Sequence, residues 1–273
     1  MRALRLFTLI ALFTLMMLGQ VYAQVLFFAD FEPNPKDAKP NAAVNNLASW
    51  KPENVGQTMI IADFPGSGKG LRQTAEGCGT SGNMPLPGVT NFTDGIIQVE
   101  LSWGDDDSWG VMFRRTAANK GYLVTFGYNE TPAVIVALMD KGCGVAGKCN
   151  DEAGCENNAG NTLAQVPHGL GGGLTQNNTV AYIGRIEAKG DTIKVWYLPR
   201  DQVKNRFADS AALGKPLVEI KDGTHKSGAV GIWHESCGMC TLDNIFVTGA
   251  GGFRAVDAKA KLATSWGAIK SAY

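Results

Sequence analysis

Excess charge of either sign is the first thing the sequence lacks. Its 273 residues hold 25 Lys and Arg against 25 Asp and Glu, and no basic stripe or polybasic patch stands out. That balance argues against nucleic acid or an anionic membrane surface as a partner. Helical periodicity is the second absence: before the C-terminal tail no long stretch repeats apolar residues at helical spacing. Long apolar runs are the third. The longest, "LFTLIALFTLMML" from Leu6 to Leu18, is too short for a comfortable membrane span. It follows Arg2 and Arg5 and precedes "VYA" (Val21 to Ala23), the order of a signal peptide with its small-residue cleavage site. The reading is a signal peptide over residues 1–23 and a mature chain with no membrane span, secreted or periplasmic/extracellular. Cleavage removes two arginines and no acid from the even balance, leaving a net charge of −2.

Familiar catalytic strings are also missing. "FPGSGKG" (Phe64 to Gly70) is not a phosphate loop, because Lys69 is followed by Gly70 and the first glycine is out of place. "HGLGGGL" (His168 to Leu174) is similar to an esterase oxyanion loop, but no Gly-x-Ser-x-Gly accompanies it. Both read as flexible loops.

What is present is glycine, turn residues and short alternating β segments. "VLFFADF", "TMIIADF", "GIIQVELSW", "WGVMFRR", "GYLVTFGY" and "AVIVALMD" succeed one another with Asp, Asn, Gly or Pro between them. "VAYIGRIEAKGDTIKVWYL" holds two strands about the tight turn Lys189-Gly190-Asp191, and "LVEIKD", "SGAVGIWHES" and "CTLDNIFVTG" close the series. More than ten short strands with little helix predict an all-β fold, a two-sheet antiparallel jelly-roll sandwich, over residues 24–248. A Cys-rich loop interrupts it at about 141–178. Residues 249–273 form a linker and a tail, in which Leu262, Trp266 and Ile269 share helical spacing. The tail reads as a short helix or frayed end docked on the domain.

All six cysteines, Cys78, Cys143, Cys149, Cys155, Cys237 and Cys240, fall in the mature chain. An even number in an exported protein reads as disulfides, with fifteen pairings open. Cys237-Gly-Met-Cys240 has redox spacing but no strand-to-helix setting, so it reads as a structural bond.

The acidic turn "DDDSWGVMFR", preceded by "NVGQTMIIADFPGSGKGLR" and "FTDGIIQVEL" and followed by "GYLVTFGY", gives the chain a resemblance. From Gln57 to Tyr128 it resembles the carboxy-terminal, lectin-like domain of thrombospondins, and more broadly the concanavalin A-like and laminin-G-like jelly rolls. "GDTIKVWYL", "SGAVGIWHES" and "LDNIFV" extend the likeness over most of Val25 to Val247, while the Cys-rich loop has no counterpart. The resemblance implies calcium at the acidic turn or near the sheet ends.

Asp105, Asp106 and Asp107 are the first metal candidates, because calcium takes several oxygens and neighbouring carboxylates plus loop carbonyls supply them. Asp30 in the first strand and Asp243 in the last are a second pair, since in such sandwiches these strands lie together. Trp103, Trp109, Tyr122, Tyr128, Trp196 and Trp233 are enough aromatics to include a sugar platform, with at least half expected in the core. Alternation in "VGIWHES" puts Trp233 and Glu235 on one face and His234 on the other, where it reads as a satisfied core histidine. Arg114, Trp109, Trp233 and Glu235 are the ligand-binding candidates. Glucanases of the superfamily carry Glu-x-Asp-x-Glu on one strand, whereas Glu100 here is followed by Leu101, Ser102 and Trp103. The expected function is a secreted, non-catalytic module for a glycan or an extracellular protein, stabilised by calcium. The alternative is a carbohydrate-active hydrolase or lyase whose carboxylate pair the sequence does not display.

Overall fold

The structure is a computed structural model. It describes residues 25–31, 50, 53, 59–66, 68–74, 77, 81–127, 132–145, 148–149, 155, 161–170, 179–235 and 237–250. Residues 1–23, read above as a signal peptide, the tail beyond Ala250, Cys78 and Tyr128 lie outside the described residues.

Fourteen strands are present among them: β1 (Val25–Ala29), β2 (Met59–Phe64), β3 (Gly68–Gln73), β4 (Gly82–Pro85), β5 (Gly95–Ser102), β6 (Ser108–Ala117), β7 (Lys120–Gly127), β8 (Ala133–Leu138), β9 (Thr162–Pro167), β10 (Ala181–Lys189), β11 (Thr192–Pro199), β12 (Val218–Lys221), β13 (Ala229–His234) and β14 (Thr241–Thr248). They form two antiparallel sheets, the sandwich the sequence predicts. The first runs β12-β11-β10-β5-β14-β3-β2, with β1 also on β14, and the second runs β4-β13-β6-β7-β8-β9.

Period-two alternation builds the core. Ile97, Val99 and Leu101 of β5 point inward, as do Trp109, Val111 and Phe113 of β6 and Tyr122, Val124 and Phe126 of β7. Each is fully buried, a gain of roughly 1.5–3 kcal/mol per large apolar side chain. The sheets approach closely at Gly184, where an added Cβ would lie 2.6 Å from the Phe126 ring. Gly184→Ala is therefore expected to cost about 1–3 kcal/mol through overpacking, read from the denaturant midpoint.

Both sheets are also covered on their outer faces, which the alternating pattern does not announce. A strap between β11 and β12, with short 3-10 turns at Arg200–Gln202 and Ser210–Leu213, lies over the first sheet. Phe207 of the strap packs on Phe246, ring centroids 5.6 Å apart. On the second sheet, Met139, Cys143 and Cys155 cluster with Met112, Leu123, Ile135, Ala137 and Trp233.

Two expectations need correction. The stretch at 141–178 is not all loop, because Thr162–Pro167 forms β9 on β8. "FPGSGKG" is not a flexible loop, because it ends β2, turns at Pro65–Gly66 and opens β3. Gly70 is required there: its Cβ would sit 2.5 Å from the Leu242 carbonyl oxygen of β14.

Candidate functional site

The acidic triplet sits in the turn between β5 and β6, and it is not a free tip. Asp105, Asp106 and Asp107 are each half-buried. Asp105 Oδ1 accepts the Asp106 N–H at 3.0 Å, and Asp105 Oδ2 accepts the Gly238 N–H at 3.0 Å. Gly238 lies in the turn closed by the Cys237–Cys240 disulfide, and that turn is held to β3 by Gln73 N–H to the Cys240 carbonyl and Met239 N–H to the Gln73 carbonyl. The Glu235 N–H donates to the Ser108 carbonyl at 3.0 Å, joining the same two turns. The hairpin is thus braced by residues far along the chain.

One carboxylate oxygen from each of the three aspartates lies within 4.8 Å of the others. Calcium–oxygen bonds of about 2.3–2.6 Å place ligands on opposite sides of the ion up to about 5 Å apart, so the set fits one ion. Waters and loop carbonyls would complete the six to eight oxygens, and half-burial leaves them access. The crowding has an electrostatic signature. Burial, and next the Asp105 carboxylate, push the Asp106 carboxyl above its ordinary value. A cation at this point relieves the repulsion that a proton otherwise relieves.

The first and last strands, β1 and β14, are neighbours as expected; Asp30 directly follows β1 and Asp243 lies on β14. Ala29 pairs with Ile245, so Asp30 follows the end of the ladder and Asp243 precedes it by two residues. Asp243 is buried and pairs directly with Glu100 of β5. The Asn244 side-chain amide bridges the two carboxylates, at 2.6 Å to Asp243 Oδ2 and 3.2 Å to Glu100 Oε2. Glu100 also accepts from Arg206 Nη1 at 2.9 Å and faces Arg200 Nε at 3.1 Å, both from the strap. Sequence reasoning passed over Glu100 because it tested that residue only as part of a one-strand triad. The carboxylate pair forms between strands.

The four ligand candidates are not brought to one groove. Trp109 faces the interior, with its ring 5.5 Å from His234. Trp233 faces the outer side of the same sheet and is fully buried there. Glu235 is buried at the β13 end beside Ser108. Arg114 sits at the bulge in β6, with a φ of 48° and 1% exposure. Its guanidinium is spent on the Thr93 carbonyl (2.8 Å), the His225 carbonyl (3.2 Å) and Asp94 Oδ1 (3.1 Å). A bulge re-aims a side chain, which simple alternation cannot foresee. Next to it the Tyr122 hydroxyl donates to Asp222 Oδ1 at 2.5 Å and accepts the His225 N–H at 3.2 Å. Burial, then that carboxylate, raises the Tyr122 pKa to about 12. Trp103, Trp109, Tyr122, Trp196 and Trp233 are all buried, so none offers an open platform in this state.

Disulfides join Cys143 to Cys155 and Cys237 to Cys240, and Cys149 is also disulfide-bonded.

No family model and no curated protein matches the chain. Similar solved structures include a Bacillus subtilis protein of unknown function with a galectin-like fold, at 11% identity over 82% of this chain and 95% of that one, TM-score 0.49. Another is the calcium- and mannose-bound exoplasmic/lumenal domain of VIP36, at 12% identity over 70% and 80%, TM-score 0.48. A third is a GlcNAcα1-4Gal-releasing endo-β-galactosidase from Clostridium perfringens, at 8% identity over 88% and 64%, TM-score 0.45.

Proposed function

We propose that this protein is an exported, non-catalytic β-sandwich module that binds a glycan and is stabilised by calcium at the β5–β6 turn. The observation that carries the reading is the convergence of three aspartate oxygens in a turn braced by the Cys237–Cys240 loop. The disulfides and the basic-apolar-small order of residues 1–23 support export to an oxidising compartment. Glu100 and Asp243 are the carboxylates that strand register pairs, and both lie buried, with two strap arginines already facing Glu100. That arrangement favours a structural role for them over acid–base work on a polysaccharide.

The test is the melting temperature of the mature chain with millimolar calcium and then with chelator. An ion held only by the native state at a hundred times its Kd adds about 2.7 kcal/mol. For a domain of this size that corresponds to a fall of roughly 5–10 °C on chelation. Replacing Asp105, Asp106 and Asp107 together by asparagine should abolish the shift. An unchanged melt in calcium and chelator removes calcium from the proposal. Retention of the chain on a glycan array, with no reducing ends released from the same glycans, separates the binder from an enzyme. Retention on extracellular proteins but on no glycan would replace the ligand class.

A further inference from the structure

One row of side chains crosses the outer face of the second sheet. Register aligns Asn83 of β4 with Trp233 of β13, Trp233 with Gly110 of β6, Gly110 with Thr125 of β7, and Thr125 with Ile135 of β8. Gly110 has no side chain because a Cβ there would meet Leu123 at 2.8 Å and the Trp233 ring at 3.1 Å. Asn83, Trp233 and Thr125 are 3%, 0% and 1% exposed. Yet Trp233 Nε1, Thr125 Oγ1 and Asn83 Oδ1 have no hydrogen-bond partner. Each buried polar atom left unmade costs about 1–3 kcal/mol, and native folds carry few of them. Three in one row of one sheet face is a pattern, and it comprises a donor, an acceptor and a hydroxyl that serves as either.

We propose that this row is the glycan bed of the protein, taking a short neutral oligosaccharide laid across β4, β13, β6 and β7. This rests on the reading of the protein as a glycan-binding module and gives that module its site and ligand class. Sugar hydroxyls both donate and accept, so they can satisfy Asn83 Oδ1, Trp233 Nε1 and Thr125 Oγ1 at once. Four adjacent strands at about 4.8 Å spacing span about 14 Å, the scale of a few linked sugar rings. No ionisable side chain stands in the row, so a charged saccharide gains nothing there. In the free protein Cys143, Gly144 and Cys155 lie over this face, and Asn83 Nδ2 donates to the Gly144 carbonyl at a long 3.4 Å. The saccharide takes their place, and Asn83 exchanges that weak bond for bonds to hydroxyls.

Two substitutions, the first nearly isosteric, test this in the mature full-length chain, with immobilised short neutral and acidic oligosaccharides as probes. Thr125→Val removes a buried, unbonded hydroxyl, so it should hold or raise the melting temperature of the free protein. The same change should weaken binding of the best neutral oligosaccharide about tenfold, the equivalent of one lost hydrogen bond. Trp233→Phe should weaken it by a similar factor. A fall in melting temperature for Thr125→Val would mean that the hydroxyl is already bonded in the free protein, and would overturn the premise. Unchanged affinity in both variants would place the glycan elsewhere and leave the glycan-binding module standing. Binding to acidic probes alone would overturn the ligand class, and binding to no glycan would remove the module reading together with this site.

Discussion

Replacing Glu100 by alanine is expected to destabilise the protein by about 3 kcal/mol, the cost of removing one partner from a buried ion pair. Glu100 is fully buried in the middle of the first sheet, between β10 and β14. Its carboxylate gathers Arg206, Arg200 and Asn244, and the two arginines come from the strap. The arginine side chains are 24% and 32% exposed, so solvent screens part of the loss and the upper end of the usual range does not apply. The strap has a second anchor in Arg185, whose guanidinium donates to the Arg206 and Ala208 carbonyls and to Gln98 Oε1. Burial lowers the Arg185 pKa to about 10, which still leaves it charged at neutral pH. Removing Glu100 should therefore loosen residues 200–213 before the sheets part. Denaturant unfolding reads the first effect, and faster amide exchange across the strap reads the second. Glu100→Gln keeps the volume and one acceptor oxygen and should cost less than alanine. An unfolding free energy for Glu100→Ala within about 1 kcal/mol of wild type would show that Arg185 and Phe207 hold the strap without Glu100.

The same buried network marks where the sequence was legible and where it was not. Alternation in "GIIQVELS" sends Ile97, Val99 and Leu101 to one face and the polar Gln98, Glu100 and Ser102 to the other, yet those polar residues are buried as well. A polar position in a strand signals water only if nothing covers it, and the covering strap lies more than 90 residues away in sequence. The β10–β11 hairpin was readable because its turn chemistry is local. Strand β3 was not, because Gly68 and Gly70 give no side-chain period to read, and Gly70 is there to let the β14 backbone pass. At the candidate site, the aspartate triplet was visible as a cluster. Its bracing by Gly238 was not, since nothing local links residues 105 and 238. Asn83, Gly110 and Thr125 were invisible as a group, because only strand register places them in a row.

Acid should destabilise this fold through His234, and the effect is expected to be about 3 kcal/mol. The residue was expected in the core, and it lies there fully buried, but with only one nitrogen satisfied. Nδ1 lies 2.9 Å from the Glu235 carbonyl, an acceptor, so Nδ1 carries the proton and Nε2 is left with a buried lone pair and no partner. Burial outweighs that bond and lowers the pKa from 6.5 to about 4. The folded state therefore resists a proton that the unfolded chain accepts near its ordinary value. Stability from this group is complete above about pH 6.5, falls as pH drops towards 4, and is level below that, where both states are protonated. Each pKa unit corresponds to about 1.4 kcal/mol, which gives the total. Asp106 contributes with the opposite sign, because a raised carboxyl favours the fold at lower pH, while the lowered Asp222 acts only below the ordinary carboxylate range. Between pH 4 and 6.5 the histidine should dominate. His234→Phe keeps an aromatic ring beside Trp109 and removes both nitrogens, so its unfolding free energy should lose this slope. If wild type and His234→Phe show parallel pH profiles across that window, His234 is not the acid-sensitive group, and a water or side chain must already satisfy Nε2.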